Sequence, residues 1–246
     1  YRHQADLLYV YHTLKAHNFT DDDIILIMRD DIACHPKNKY PGVIKASEDG
    51  ENLYRDVVID YRADTLGVND IEDILVGNRS ARLATVLEST EKDNVLLYWT
   101  GHGTNQSFSW LDTGEKFTDR QMEWTIRKMY EDKKYLSMLI FTEPCYSGSV
   151  IQAIEGIPLV LGITAADNNE SSFAENYSDE LGVWMCDRFT LNLMRIFAEN
   201  PFIDLLDASK LLNASTIGSH VQVYNSDEFY YLGDCLLWSY FKTYKE

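Results

Sequence analysis

Two side chains able to do nucleophilic chemistry leave apolar runs at comparable points. Cys145 follows YLSMLIFT (135–142) and the dipeptide Glu143-Pro144; His102 follows NVLLYWT (94–100) and Gly101. Short continuous apolar runs of this kind read as strands covered on both faces. In open parallel sheets, the loops beyond the carboxyl ends of the strands converge on a crevice. A thiol and an imidazole delivered there can act as nucleophile and base, the imidazole taking the proton and the thiolate attacking a carbonyl. Taken singly, Cys145 reads as a small buried hydrophobe and His102 as the cap of a turn. Their joint placement at one sheet edge favours the pair. Cys34, Cys186 and Cys235 lack such a setting and read as structural.

The flanking residues fit the same chemistry. Gly101 and Gly103 permit backbone angles closed to other residues and let main chain approach a substrate carbonyl. The Gly103 amide is then a candidate donor to that carbonyl. Pro144 fixes one backbone angle before the thiol and ends the strand ladder. Ser147-Gly148-Ser149 reads as a helix start, expected to leave unpaired amides beside Cys145. Glu143 is the misfit, because a carboxylate beside a thiol at a buried strand end is awkward unless something pairs with it.

The remaining chain supplies the frame. Leu7, Leu8, Val10, Tyr11 and Leu14 recur at helical spacing over 3–17. A short apolar run at 24–28 reads as a strand. A helix over 68–76 precedes the strand at 94–100, one over 119–130 precedes that at 135–142, a further strand lies near 157–165, and 183–199 reads as one long buried helix. A last strand is read at 219–224. Segments 34–62, 78–94, 101–118 and 167–182 show no period and read as loops. Strands alternating with helices require right-handed crossovers, so the fold class is α/β: a three-layer, mostly parallel central sheet with helices on both faces. Because such sheets usually begin with a strand, a strand-forming segment is expected upstream of Tyr1.

Bulk properties narrow the partners. With 246 residues, 45% of them hydrophobic, the chain suits a single domain over 1–246. A net charge of −17 repels phosphate backbones and anionic headgroups, which argues against nucleic acid and membrane surfaces. No run of about 18 apolar residues marks a membrane span. There is no CxxC and no Cys/His set at metal-ligand spacing, so neither a metal nor a cofactor is expected. Sequons stand at Asn18, Asn78, Asn105, Asn169, Asn176 and Asn213.

The segments YRHQAD (from Tyr1), DDIAC, TGHG (from Thr100), EPCYSGS (from Glu143), TAADNNESS and SDELG together resemble the legumain family of cysteine peptidases, which includes the catalytic subunit of GPI transamidase. The resemblance implies a caspase-like fold, with Cys145 as nucleophile, His102 as base, and the amides of Gly103 and Cys145 as oxyanion hole. It implies a specificity pocket of Arg2, His3, Glu143 and Asp179, the last match resting on a segment one residue longer than its counterpart. It further implies cleavage after asparagine, an extracytoplasmic setting, and a peptide or protein substrate, with an N-terminal fragment or partner subunits as further candidates. A pocket offering both a guanidinium and carboxylates satisfies the donors and acceptor of a carboxamide. Pro144 departs from the alanine usual in legumains, while TGHG, DDIACHPKN and LGVWMCDRFT lean toward the transamidase branch. Transfer of the acyl group to an amine is therefore the alternative activity, and a catalytically silent binding module the third.

Overall fold

The apolar runs at 94–100, 135–142 and 157–165 become neighbouring strands, and their alternating side chains divide the core in two. In the computed structural model, which describes residues 1–111 and 113–241, the elements run α1 (Arg2–Ala16), β1 (Ile27–Met28), β2 (Tyr61–Arg62), α2 (Val68–Val76), β3 (Asn94–Trp99), β4 (Gly103–Thr104), β5 (Ser107–Trp110), β6 (Glu115–Thr118) and α3 (Asp119–Glu131). They continue with β7 (Ser137–Thr142), α4 (Ser147–Ile151), β8 (Val160–Thr164), β9 (Ala174–Ser178), β10 (Val183–Asp187), α5 (Arg188–Glu199), α6 (Leu205–Ser215) and β11 (Gln222–Tyr224). The central sheet has the order β11-β8-β7-β3, with β3, β7 and β8 parallel and β11 antiparallel at the rim.

Because successive strand residues face opposite sides, Met138 and Ile140 of β7 pack with α2 and α3 through Ile71, Ile74, Met122, Ile126 and Met129. Leu139 and Phe141 pack on the other side with α1, α5 and α6 through Val10, Leu14, Phe189, Leu193, Phe197, Leu205 and Leu212. The result is the expected three-layer α/β architecture. Truncating the fully enclosed Phe141 to alanine would cost about 3–5 kcal/mol, since both transfer energy and a cavity are involved. The helix starts are locally specified. Thr118 accepts a bond from the Gln121 amide at 3.3 Å while Gln121 accepts one from the Thr118 amide at 3.1 Å, closing a capping box on α3.

Several segments differ from the sequence expectation, among them 167–182, which is not all loop but contains β9. Residues 101–118 are not a loop but hold the antiparallel meander β4-β5-β6, whose Phe108 and Phe117 bury completely and stack near Trp99. Residues 183–199 are not one helix. Val183–Asp187 pairs antiparallel with Ala174–Ser178, and α5 begins only at Arg188. The apolar residues of β10 are continuous in character with those of α5, which conceals the change of period. The 24–28 run contributes only Ile27–Met28, paired in parallel with β2 outside the central sheet.

Candidate active site

The register of the two central strands sets the site. Trp99 lies opposite Thr142 in the parallel β3–β7 ladder, and His102 and Cys145 each follow three residues later. Past the ladder the two chains remain in contact: a Cβ built on Gly103 would stand 2.0 Å from the Cys145 carbonyl oxygen and 2.9 Å from the Pro144 Cβ. Only glycine fits there. Gly101 turns with φ of +146°, a conformation that side chains resist. His102 is exposed and Cys145 half-buried. The Cys145 Sγ sits 3.7 Å from the Ser172 hydroxyl, so the 167–173 segment walls the thiol on its other side.

The backbone amides around the thiol are not equivalent. Those of Glu143, Tyr146, Ser147 and Gly148 donate to the carbonyls of Trp99, Glu170, Pro144 and Ala166. The Ser149 amide is taken by the Tyr146 carbonyl. The helix start at Ser147 is therefore present, but the expected spare amides on Ser147, Gly148 and Ser149 are consumed. Among the described residues the Cys145 amide alone in this stretch has no protein acceptor. Tyr146 enables this by taking a left-handed conformation with φ of +56° immediately after the thiol. The Gly103 amide is available by a different route. Ser109 donates to the His102 carbonyl at 2.9 Å, which makes 102/109 a bonded pair. In an antiparallel ladder such pairs alternate, so the next pair, Gly103 with Phe108, is non-bonded. The Gly103 N–H therefore points away from β5.

Behind this rim lies a charged floor drawn from α1, β7 and β10. Arg2 Nε donates to Asp187 Oδ1 at 2.8 Å, His3 Nε2 lies 3.6 Å from Asp187 Oδ2, and the Asp187 amide donates to Asp6 Oδ1 at 3.0 Å. Glu143 comes within the same cluster, its carboxylate less than 4.8 Å from the His3 and Asp187 ligand atoms. Asp6, Glu143 and Asp187 are all 2% exposed or less. Burial, reinforced by Asp187 and Asp6, holds the Glu143 carboxyl well above the usual carboxylate range. Burial and Asp187 do the same to Asp6. Burial, with Arg2 and His102 adding repulsion, pushes the His3 imidazole down to about 2, so the ring is neutral. His3 also joins floor to rim: its ring meets that of His102 edge-on, with centroids 4.8 Å apart.

With the carboxyls acting only as acceptors, three buried atoms of the floor have no hydrogen-bond partner, His3 Nε2, Glu143 Oε1 and Asp187 Oδ2; a proton on Glu143 is shared with Asp187. Buried polar atoms are ordinarily paired, so unpaired atoms on three residues that cluster within 4.8 Å mark a place for a polar ligand. Arg2, His3 and Glu143 are thus brought together as expected, whereas Asp179 lies exposed in the turn between β9 and β10. The aspartate beside Arg2 and His3 is Asp187, and its signal in the sequence was a carboxylate directly before an amphipathic helix, the position of an N-cap. Asp6, also missed, stands one helical turn from Arg2 and His3 on the same face.

Comparison with known proteins identifies the family and the fold. A model of the Peptidase C13 family matches residues 1–232. The chain is 31% identical to legumain of Rattus norvegicus over 235 residues, covering 92% of this chain and 53% of that protein. It is 34% identical to the vacuolar-processing enzyme delta-isozyme of Arabidopsis thaliana over 203 residues (78% and 43%). With the GPI-anchor transamidase of Saccharomyces cerevisiae it shares 30% identity over 234 residues (91% and 56%). The chain spans about half the length of these relatives. In fold it is similar to caspase-1 of Spodoptera frugiperda, with a TM-score of 0.52 at 11% identity over 77% of this chain and 76% of that one. The match to caspase-1 shows a caspase-like α/β fold, and the chain belongs to the Peptidase C13 family.

Proposed function

We propose that the chain is a cysteine endopeptidase that cleaves after asparagine. The carrying observation is the floor of three unpaired buried atoms, His3 Nε2, Glu143 Oε1 and Asp187 Oδ2, directly behind the Cys145 and His102 edge. A carboxamide side chain entering it would donate from its NH₂ to Asp187 Oδ2 and accept at its oxygen from Arg2 or from protonated Glu143. A side chain lacking those groups would leave the floor unsatisfied, which is the arrangement that discriminates most strongly. His102 takes the thiol proton, the Cys145 sulfur bonds to the carbonyl carbon, and the amides of Gly103 and Cys145 receive the oxyanion. The C–N bond then breaks as His102 returns the proton to the leaving amine. Water, activated by the same imidazole, releases the acid and regenerates the thiol. An aspartate substrate protonated at low pH would mimic the carboxamide.

A fluorogenic peptide ending in Asn tests the reading: turnover that disappears in Cys145→Ala supports it, and equal turnover by that variant overturns it. Similarity to proteins named GPI-anchor transamidase supports a second reading, in which an amine instead of water attacks the thioester. That reading predicts slow hydrolysis and rapid product formation once an amine acceptor or partner subunits are added. The vacuolar-processing enzyme among the relatives supports an extracytoplasmic setting. Among the described residues no helix is long and apolar enough to cross a membrane.

A further inference from the structure

The floor gathers more buried carboxyl groups than its own side chains satisfy with hydrogen bonds. Asp6, Glu143 and Asp187 are buried together, and Arg2 engages only one oxygen of Asp187. Buried charges are ordinarily paired or coordinate metals. Here the atoms without a partner are an imidazole nitrogen of His3 and one carboxyl oxygen each of Glu143 and Asp187, residues far apart in sequence, and one ligand atom from each residue lies within 4.8 Å of the others. Glu143 and Asp187 are 1% and 2% exposed, and His3 Nε2 lies 3.6 Å from Asp187 Oδ2.

We propose that this floor binds a divalent transition-metal cation, Zn²⁺ in the first instance, through His3 Nε2, Glu143 Oε1 and Asp187 Oδ2, and that the bound cation shuts out the substrate side chain. One nitrogen and two carboxylate oxygens form a donor set of the borderline type that zinc accepts, with a fourth position open to water. The 3.6 Å separation of His3 Nε2 and Asp187 Oδ2 is already close to the roughly 3.4 Å ligand spacing of a tetrahedral site with bonds of about 2.1 Å. Pairs further apart, none beyond 4.8 Å, close by side-chain movements of about 1.5 Å or less. The outer contacts a metal site requires are also present: Arg2 holds the other oxygen of Asp187, and Asp6 holds the Asp187 amide. The guanidinium so near keeps the site releasable instead of structural. The inhibitory consequence rests on the proposed substrate reading; the binding itself does not.

The test is calorimetric titration of the full chain with Zn²⁺ in a Cys34→Ala/Cys145→Ala background, which removes the exposed and half-buried thiols nearest in competition. One Zn²⁺ per chain is expected, weakened by about tenfold or more in Glu143→Gln and Asp187→Asn, since even outer-sphere partners command that scale. His220→Ala, which removes the exposed His220–Glu170 pair, should leave the titration unchanged. If either buried variant fails to fold, His3→Ala, at a partly exposed position, carries the same expectation. No stoichiometric binding, binding retained in the floor variants, or binding lost with His220→Ala each overturns the proposal. In the active chain, Zn²⁺ should raise KM for an Asn peptide without lowering kcat. Purely non-competitive inhibition overturns the exclusion of substrate. Absence of any Asn-directed turnover in chelator-treated protein overturns the substrate reading while leaving the titration result to stand on its own.

Discussion

The rim of the site and its floor are built in opposite ways. His102, Gly103 and Cys145 come from two short segments, each at a fixed offset from one ladder pair, and the amides of Gly103 and Cys145 are left free by local backbone geometry. Arg2, His3, Asp6, Glu143 and Asp187 come from three elements that touch only in the folded chain, and their states are set by burial and by one another. Rim function therefore tracks atoms at the reacting carbonyl. Floor function tracks the collective charge of a pocket. Substitutions in the two regions should fail differently.

The largest effects belong to the rim. Cys145→Ala should remove turnover altogether while leaving the thermal midpoint near that of the parent, measured by peptide hydrolysis and calorimetry. Gly103→Ala should be severe for another reason. Its methyl would collide with the Cys145 carbonyl, displacing one oxyanion donor, for which a fall in kcat of about 10²–10³ with KM little changed is expected. A loss expressed mainly as a rise in KM would place the Gly103 amide outside the reaction.

Floor substitutions should chiefly change selectivity. Glu143→Gln and Asp187→Asn keep shape but alter donors, so kcat/KM for Asn peptides should drop toward that for Ala peptides, narrowing the discrimination by about 10–10³-fold, as expected when buried polar partners are mismatched. An undiminished Asn preference would detach the floor from recognition.

Stability against pH separates the regions further. The Glu143 carboxyl is raised in the folded chain, so the native state binds the extra proton, and the stability it contributes is full below the ordinary carboxylate range and lost as pH rises toward its folded value. Thermal midpoints of Glu143→Gln should thus fall less than those of the parent between acidic and neutral pH. Carboxylates with depressed values, such as Glu170, act in the opposite sense, so the difference between the two proteins is the quantity to measure. The smallest effect is expected at Asp179, exposed in the β9–β10 turn: Asp179→Ala should change stability by no more than about 0.5 kcal/mol and leave selectivity intact. Loss of selectivity there would return it to the pocket in place of Asp187.

This contrast also explains what was legible in the sequence. Cys145 and His102 could be read because apolar runs announce buried strands and chemistry gathers at their carboxyl ends. Asp187 obeys the same rule at the end of β10, but Val183–Asp187 was absorbed into the helix that follows, since Trp184, Met185 and Cys186 suit either period. The meander at 103–118 escaped notice because its strands are two to four residues long, too short for alternation to register. Asp6 sits on the buried face of a helix whose apolar stripe was recognised, yet nothing local signals that a carboxylate there would meet a residue 181 positions away. Pairings of that range are a property of packing, not of spacing.

The central claim is that one thiol, backed by a carboxamide-recognising floor, forms a covalent acyl-enzyme. Peptide mapping by mass spectrometry after treatment with an aza-asparagine electrophile and, separately, its aza-alanine analogue tests it most directly. An adduct is expected on Cys145 that forms much faster with the asparagine probe and loses that advantage in Glu143→Gln. Equal labelling by both probes, or an adduct on Cys34 in preference to Cys145, would contradict it.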